Sequence, residues 1–257
     1  MLAKLSVDQM LMKAKSHVKR DEVADAKKLY QAVLLTFPKN KRAQQGLASL
    51  NKLEQNNPSQ SPPQGIIDQL INLYNQGQLL IMVEQAQALT EQYPDAFILW
   101  NCLGVANIEL GRAEQASIAL TKVTELNPNY AEGFNNLSVA LQDQGKLDEA
   151  ITAINRALLL KPNYVDAFYN MGNFLHDQGK LEKAIQAYKK VILLKPDYAR
   201  VYNNVGVTFH DQFKFDQALT AYNKALSLNF ATADIYYNMA RTLQCQGKLE
   251  EAIEACN

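Results

Sequence analysis

The sequence predicts an all-α fold, a solenoid of helix-turn-helix repeats, and three observations lead to that prediction. Prolines and glycines recur every 34 residues, apolar residues between them recur at helical spacing, and no stretch alternates as a strand would. A fixed period of about 20 to 50 residues is typical of a repeat array, in which each unit packs only on its neighbours.

The period is marked most clearly by residues that end helices. Four prolines are spaced by 34 residues: Pro94, Pro128, Pro162 and Pro196. Five glycines keep the same period: Gly77, Gly111, Gly145, Gly179 and Gly247. With the proline at position 32, the repeats are 63–96, 97–130, 131–164, 165–198, 199–232 and a partial 233–257.

The repeat 131–164 shows why each unit is predicted to form two helices. Phe134 to Leu141 carries an apolar stripe at i, i+3, i+4 and i+7, and a second stripe runs from Leu147 to Leu158. Gly145 between them suits the left-handed backbone of a helix C-cap. Pro162 lacks the N–H that would continue the second helix.

Three positions of the repeat are restricted in size or type, which predicts close packing between helices. Position 8 is small: Gly104, Ser138, Gly172, Gly206 and Ala240. Position 20 is small: Ala116, Ala150, Ala184, Ala218 and Ala252. Position 4 is aromatic: Trp100, Phe134, Phe168, Tyr202 and Tyr236. Because position 4 lies on the apolar stripe, we interpret these aromatics as packing residues.

These residues resemble the tetratricopeptide repeat (TPR), a 34-residue unit that covers about three quarters of the chain. The resemblance rests on an aromatic at position 4, small residues at 8 and 20, Tyr188 and Tyr222 at position 24, and proline at 32, as in the segments WNCLG, FYNMG and YNNVG. It implies a right-handed superhelical TPR solenoid and a role in protein–protein interaction.

Two repeats depart from this pattern. Leu70 and Met82 are large at positions 8 and 20 of unit 63–96, so its two helices are expected to lie further apart. Unit 199–232 has Phe213 for the turn glycine and Phe230 for the proline, which predicts locally altered turns in an unbroken array.

The amino-terminal part, 1–55, is predicted to be one TPR-like unit plus a helix. With Pro38 at position 32, Ala14, Ala26 and Tyr30 fall at positions 8, 20 and 24. The Pro/Ser/Gln segment 56–65 is a predicted linker to the TPR array, 63–257. A unit this small is marginal alone, so it is expected to dock on the array or on another chain.

The carboxyl end falls midway through the second helix of the last repeat. A solenoid needs a polar cap, and none follows Ala252 in the sequence. We therefore expect either a fragment of a longer protein or an end that a partner completes.

Composition excludes several functional classes. The 26 Lys and Arg balance the 26 Asp and Glu, so the electrostatic footprint of a nucleic-acid binder is absent. No apolar run approaches the roughly 18 residues of a membrane span. Three scattered cysteines without a CxxC pair predict neither a disulfide framework nor a zinc site, and suit a cytoplasmic protein. No cofactor, metal or catalytic motif is predicted, and His176 and His210 are interpreted as surface residues.

The face of the first helices opposite the apolar stripe carries the candidate binding residues. Position 6 holds a row of asparagines: Asn136, Asn170, Asn204 and Asn238. Position 13 holds acids beside them: Asp143, Asp177 and Asp211. An amide both donates and accepts, so it can bond the N–H and C=O of a peptide unit without reading its side chain. The row thus predicts a groove that binds an extended polypeptide.

This row is similar to the asparagine ladder in the TPR superhelix of O-linked N-acetylglucosamine transferase, which holds the backbone of protein substrates. The resemblance transfers to the four asparagines, and to the three aspartates as side-chain selectors, but Cys102 interrupts the row at its start. Related bacterial TPR proteins carry sulfotransferases or methyltransferases. One alternative is therefore the substrate-docking arm of a longer glycosyl-, sulfo- or methyltransferase.

Two further points concern the partner. TPR cochaperones bind terminal carboxylates with basic residues at positions 2, 5 and 6, and here Arg200 is the one basic residue at these positions of the array. The acids of the groove instead favour a neutral or basic protein segment. A third alternative is a self-assembling scaffold, a homo-oligomer formed through the exposed carboxyl end or the amino-terminal unit.

Overall fold

The computed structural model describes residues 6–19, 23–56 and 61–256 and divides into two compact units, Met1–Pro62 and Pro63–Asn257, here unit 1 and unit 2. Residues 57–60, four of the ten residues of the predicted linker 56–65, lie outside the described residues. Regular structure in the described ranges is entirely α-helical, in 15 helices with no strand. The all-α prediction is therefore confirmed.

Unit 1 consists of three helices, α1 (Val7–Lys19), α2 (Val23–Thr36) and α3 (Lys41–Asn56). Its core joins all three helices around buried residues: Leu11, Ala14, Ala26, Tyr30, Val33, Ala43 and Leu50. Ala14 and Ala26 are fully buried where α1 meets α2, because larger side chains would keep these helices apart.

Unit 2 repeats a pair of helices six times. The first helices are α4 (Gln64–Asn75), α6 (Phe97–Glu109), α8 (Ala131–Asp143), α10 (Val165–Asp177), α12 (Ala199–Asp211) and α14 (Ala233–Cys245). The second helices are α5 (Leu79–Gln92), α7 (Ala113–Leu126), α9 (Leu147–Leu160), α11 (Leu181–Leu194), α13 (Phe215–Ser227) and α15 (Leu249–Cys256).

Neighbouring repeats of unit 2 approach each other on the side formed by the first helices. Every helix packs on the next one in the chain, and first helices of neighbouring repeats also approach within 8 Å between Cα atoms. The second helices of neighbouring repeats do not approach so closely in this unit. A solenoid curves toward the side on which its repeats are closer, so we call the side formed by the first helices the groove face.

The small residues at position 8 allow the side chains of position 24 to enter between the two helices of a repeat. At Gly172 an added Cβ would overlap the buried ring of Tyr188, and at Gly206 it would overlap the ring of Tyr222. In the first repeat of unit 2, the large Leu70 occupies position 8, and α4 approaches α5 at fewer points than the paired helices of later repeats do. The expected wider separation of these two helices is confirmed.

The aromatic stripe at position 4 packs on the cores as the sequence predicts, except at its last member. The side chains of Trp100, Phe134, Phe168 and Tyr202 are partly buried against the core clusters. The side chain of Tyr236 is 40% exposed. The stripe is therefore a packing feature along α6 to α12.

The turn at Phe213 corrects the expectation of an altered turn. Phe213 has φ 61°, in the same left-handed region as the repeat glycines. Its N–H donates to the His210 carbonyl at 2.8 Å, as the Gly179 N–H does to the His176 carbonyl at 2.8 Å. The two hydrogen bonds show that the turn is retained, and the phenylalanine bears the backbone strain.

The turn near Phe230 is altered, as the missing proline predicts. Helix α13 ends at Ser227, one repeat position earlier than α7, α9 and α11. Asn229 then adopts a left-handed φ of 60°. Without proline to fix the backbone, the chain leaves the helix through a residue type that tolerates this conformation.

Candidate functional site

The four asparagines of position 6 lie on the groove face and are half-buried. Each one donates a hydrogen bond to position 5 of the preceding repeat, 35 residues earlier. Asn136 Nδ2 donates to Asn101 Oδ1 at 3.2 Å, Asn170 Nδ2 to Asn135 Oδ1 at 3.0 Å, Asn204 Nδ2 to Tyr169 Oη at 3.1 Å, and Asn238 Nδ2 to Asn203 Oδ1 at 3.4 Å. We call this set the amide ladder.

The amide ladder follows directly from the stacking of first helices. Equivalent positions in neighbouring repeats are 34 residues apart, so position 6 is 35 residues after position 5 of the preceding repeat. The stacking of the two first helices places these two positions side by side. Every asparagine is thereby oriented by its neighbour, and the four amides remain in register. The row is thus part of the packing between repeats as well as a polar surface.

The acids of position 13 take part in a second ladder, which links them to position 12 of the preceding repeat. Tyr74 Oη donates to Glu109 Oε1 at 3.3 Å, Gln142 Nε2 donates to Asp177 Oδ2 at 2.6 Å, and His176 Nε2 lies 2.8 Å from Asp211 Oδ2. We call this set the acid ladder. His176 is half-buried within this ladder, with 26% of its side chain exposed.

Asp143 lies outside the acid ladder because the preceding repeat presents Ile108 at position 12. Its carboxylate has no hydrogen-bond or ion-pair partner among the described residues. Partial burial raises the pKa of Asp143, since no donor compensates for the lost water. Asp143 is therefore the aspartate of the row that is most available to a partner.

Asp211 is the most fully paired acid of the groove. Besides His176, it faces Arg241, whose Nη2 lies 3.7 Å from Asp211 Oδ1. The neighbouring His210 bonds Thr242 Oγ1 through Nδ1 at 2.9 Å. Burial lowers the pKa of His210, and the charge of Arg241 acts in the same direction. The positive charge near Asp211 makes this end of the groove less acidic than the region around Asp143.

A polar cleft of about 290 Å³ opens where the two ladders meet on α8, α10 and α12. Its lining comprises Gln142, Asn173, His176, Asp177, Tyr188, Asn204 and Val207. At its centre Asn173 Oδ1 accepts from Tyr188 Oη at 2.8 Å and from Asn204 Nδ2 at 2.9 Å. Burial raises the pKa of Tyr188, so its hydroxyl stays protonated and donates to Asn173.

The thiols and metal-binding side chains do not form a further site in the described part of the chain. Cys102 is buried in the core, and burial raises the pKa of its thiol to about 11. Its place in the row is therefore a packing position. Within the residues described, no three His, Cys, Asp or Glu side chains are grouped to hold a metal.

The sequence predicted the groove asparagines and aspartates but missed their partners. The position 5 acceptors, the position 12 donors and Tyr188 were not among the candidate residues. A search for hydrogen-bonding pairs spaced by 35 residues would have found both ladders, because the spacing recurs in four of the repeats.

Tetratricopeptide repeat families match most of unit 2 and part of unit 1. Families described as TPR repeat and as tetratricopeptide repeat cover residues 99–130, 119–152, 140–179, 172–212, 199–229 and 232–256. A further tetratricopeptide repeat family matches residues 10–40. A comparison with curated proteins finds no match.

Solved structures of repeat proteins resemble this chain. MamA is 26% identical, with 62% of this chain and 92% of that chain covered and a TM-score of 0.56. PilF of Pseudomonas aeruginosa is 25% identical, with 61% and 73% covered and a TM-score of 0.55. A thermophilic TPR protein of Thermus thermophilus is 20% identical, with 70% and 98% covered and a TM-score of 0.59, a likeness of fold alone. None of the described helices combines the length and apolar character needed to cross a bilayer.

Proposed function

Because the chain belongs to the tetratricopeptide repeat proteins, we propose that it is a protein–protein interaction module whose groove binds an extended polypeptide segment. The observation that carries this proposal is the amide ladder, in which neighbouring repeats hold the groove asparagines in register. Preorganised amides lose little side-chain entropy when a partner binds.

The amides keep hydrogen-bonding capacity after the ladder is formed. Asn170 uses one Nδ2 hydrogen and no bond to its Oδ1, so it retains one donor and one acceptor. Asn238 is in the same state. Asn204 uses both hydrogens, on Tyr169 and Asn173, and retains its acceptor. The free donor and acceptor of Asn170 match the C=O and N–H of a peptide unit.

The strength of such binding is limited. A hydrogen bond contributes about 0.5–1.5 kcal/mol net, so a few amide contacts contribute a few kcal/mol, and ordering the peptide offsets part of that. Backbone contacts alone therefore correspond to a Kd near the millimolar range. Tighter binding requires contacts to side chains of the partner.

The charge of unit 2 indicates the partner's chemistry. Residues 63–257 contain 15 Lys and Arg against 21 Asp and Glu, a net charge of −6. The unpaired carboxylate of Asp143 lies on the groove face and is suited to a Lys or Arg side chain. We therefore propose a neutral-to-basic segment as the ligand.

Fluorescence anisotropy of the full chain with labelled extended peptides, neutral or carrying lysines, tests this proposal. Asn170→Ala combined with Asn238→Ala should weaken binding of both kinds by about fivefold or more. Asp143→Asn should weaken binding of the lysine peptides alone. The matched control is Asn155→Ala with Asn223→Ala, which alters exposed asparagines on second helices.

Two results would overturn the groove as the binding site. One is equal weakening by the control pair and the groove pair, and the other is failure of every extended peptide to bind the folded chain. Circular dichroism of each variant checks that the helices remain.

A second candidate, self-assembly, is favoured by the surface at α14 and α15. Tyr237 and Ile253 are each 64% exposed, whereas Ile185, at the position of Ile253 in an inner repeat, is 8% exposed. Tyr237 and Ile253 border a cleft of about 530 Å³. Light-scattering mass that rises with concentration, and does not rise for Ile253→Gln, would support self-assembly. A constant mass would exclude it. The transferase alternative has no such observation in its favour.

A further inference from the structure

The net charge of zero conceals a separation of charge between the two units. Residues 1–62 contain 11 Lys and Arg against 5 Asp and Glu, a net charge of +6, opposite to the −6 of residues 63–257. Such asymmetry indicates that the two parts meet differently charged surfaces. The positive charge of unit 1 therefore indicates a partner different from that of unit 2.

Unit 1 contains a cleft of about 410 Å³ between α1 and α3, with α2 beneath it. Its lining comprises Lys15, Val18, Tyr30, Arg42, Gln45, Gly46, Ser49 and Leu50. Two cations, an amide and a hydroxyl surround a small apolar floor. This donor-rich lining contrasts with the acids that mark the groove of unit 2.

Tyr30 provides a hydroxyl that lines this cleft. Its side chain is 3% exposed, and its hydroxyl has no hydrogen-bond partner among the residues described. The hydroxyl end of the ring lies over Gly46, where an added Cβ would overlap it. Burial raises the pKa of Tyr30, so the hydroxyl is a donor at neutral pH. The hydroxyl is not among the buried polar atoms of the described residues that lack a partner, so it reaches the cleft and can donate to a ligand group there.

The two cations are available to a ligand. Lys15 is exposed and has no hydrogen-bond or ion-pair partner in the described part of the chain. Arg42 Nη1 lies 3.3 Å from Asp8 Oδ1, but the two side chains are 74% and 77% exposed. Ion pairs in that setting contribute little, so Arg42 can exchange Asp8 for a ligand carboxylate.

We propose that the cleft between α1 and α3 binds an acidic polypeptide segment, with a side-chain carboxylate held by Lys15 and Arg42 and completed by the Tyr30 hydroxyl. The apolar floor of Val18 and Leu50 suits the methylenes of a glutamate. Nucleic acids bind through rows of phosphate contacts, whereas the lining of this cleft offers two cations. The chain would then carry two binding surfaces of opposite preference.

The test is fluorescence anisotropy of the full chain with a labelled, end-blocked glutamate-rich peptide, compared with its glutamine counterpart. The glutamate peptide should bind at least about tenfold more tightly, with an affinity that falls as salt rises. Lys15→Ala with Arg42→Ala should weaken its binding about tenfold, and Tyr30→Phe about threefold. The matched control is Lys13→Ala with Lys28→Ala, which removes the same charge from exposed positions of unit 1 outside the cleft.

Three results would overturn the proposal. The first is an equal loss with the control pair, which would mean attraction to net charge. The second is an unchanged affinity with Tyr30→Phe and with Lys15→Ala/Arg42→Ala. The third is binding of phosphatidylserine vesicles or single-stranded DNA, but not of the glutamate peptide, with sensitivity to Lys15 and Arg42. Lysine peptides should bind the Lys15→Ala/Arg42→Ala variant normally, so failure of this proposal is distinguishable from failure of the groove.

Discussion

Asn204 is the asparagine of the amide ladder whose removal should cost the most folding free energy. It donates to Tyr169 Oη at 3.1 Å and to Asn173 Oδ1 at 2.9 Å, so Asn204→Ala removes two hydrogen bonds. At about 0.5–1.5 kcal/mol each, they sum to about 1–3 kcal/mol. The higher helix propensity of alanine offsets about 0.6 kcal/mol of this loss. Asn173 keeps its bond from Tyr188, which places the net loss near 1 kcal/mol.

Asn238→Ala is the matched control because it makes the same substitution at the same repeat position. Asn238 donates one long bond of 3.4 Å, so the gain in helix propensity should offset most of its loss. Propensity cancels in the comparison, and Asn204→Ala should be the more destabilising by about 1 kcal/mol. Urea unfolding followed by circular dichroism gives both values, compared at equal m.

A double-mutant cycle isolates one bond of the ladder. Tyr169→Phe removes the hydroxyl that accepts from Asn204 and leaves the ring in place. The coupling between Tyr169→Phe and Asn204→Ala should be about 0.5–1 kcal/mol. A coupling near zero would show that this bond does not join the repeats energetically. An Asn238→Ala variant as destabilised as Asn204→Ala would show that the additional bond of Asn204 adds no stability.

Three further predictions concern backbone strain, packing and pH. Phe213→Gly should raise the free energy of unfolding by about 0.5–1 kcal/mol, because φ is 61° and the side chain is 82% exposed; an unchanged urea midpoint would contradict this. Gly172→Ala should lower the free energy of unfolding by about 1–3 kcal/mol, because the added methyl group overlaps the Tyr188 ring. Gly65→Ala is the control and should not lower it, because a Cβ there contacts no neighbouring atom. The pKa of His210 in the folded chain lies below the ordinary 6.5, so below that pH the unfolded chain binds more protons than the folded chain. The free energy of unfolding should therefore rise with pH up to about 6.5 and level off above it. His210→Gln should flatten this rise in urea midpoints, and an identical pH profile would refute the assignment.

The repeat architecture could be predicted because each of its signals is local. A glycine at position 15 and a proline at position 32 end helices through their own backbone restrictions, and apolar spacing shows which side of each helix is buried. The same local reasoning was wrong at Phe213. There, the packing of α12 on α13 on both sides of the turn maintains the glycine conformation with a phenylalanine in place.

The residues of the two proposed binding surfaces were predictable only in part. The asparagine row could be predicted from the repeat period. The hydrogen bonds that the row forms between repeats could not, because asparagines on a polar face have the same spacing in the sequence whether or not their amides are bonded. The charge of unit 1 was readable from the sequence, yet the total of 26 cations and 26 anions hid it. Counting charge separately on each side of the predicted linker would have revealed it.

The sequence by itself determined the helices, their order, the turns other than the one at Phe213, and the face on which the asparagines lie, because each depends on residues within about one or two helical turns. The tertiary structure alone decided which groups meet. Position 6 bonds position 5 across 35 residues, Asp143 lacks the donor that Asp177 has, and the Tyr30 hydroxyl lies over Gly46 without a partner. These outcomes depend on the rotation and separation between packed helices, which side chains from several helices set together.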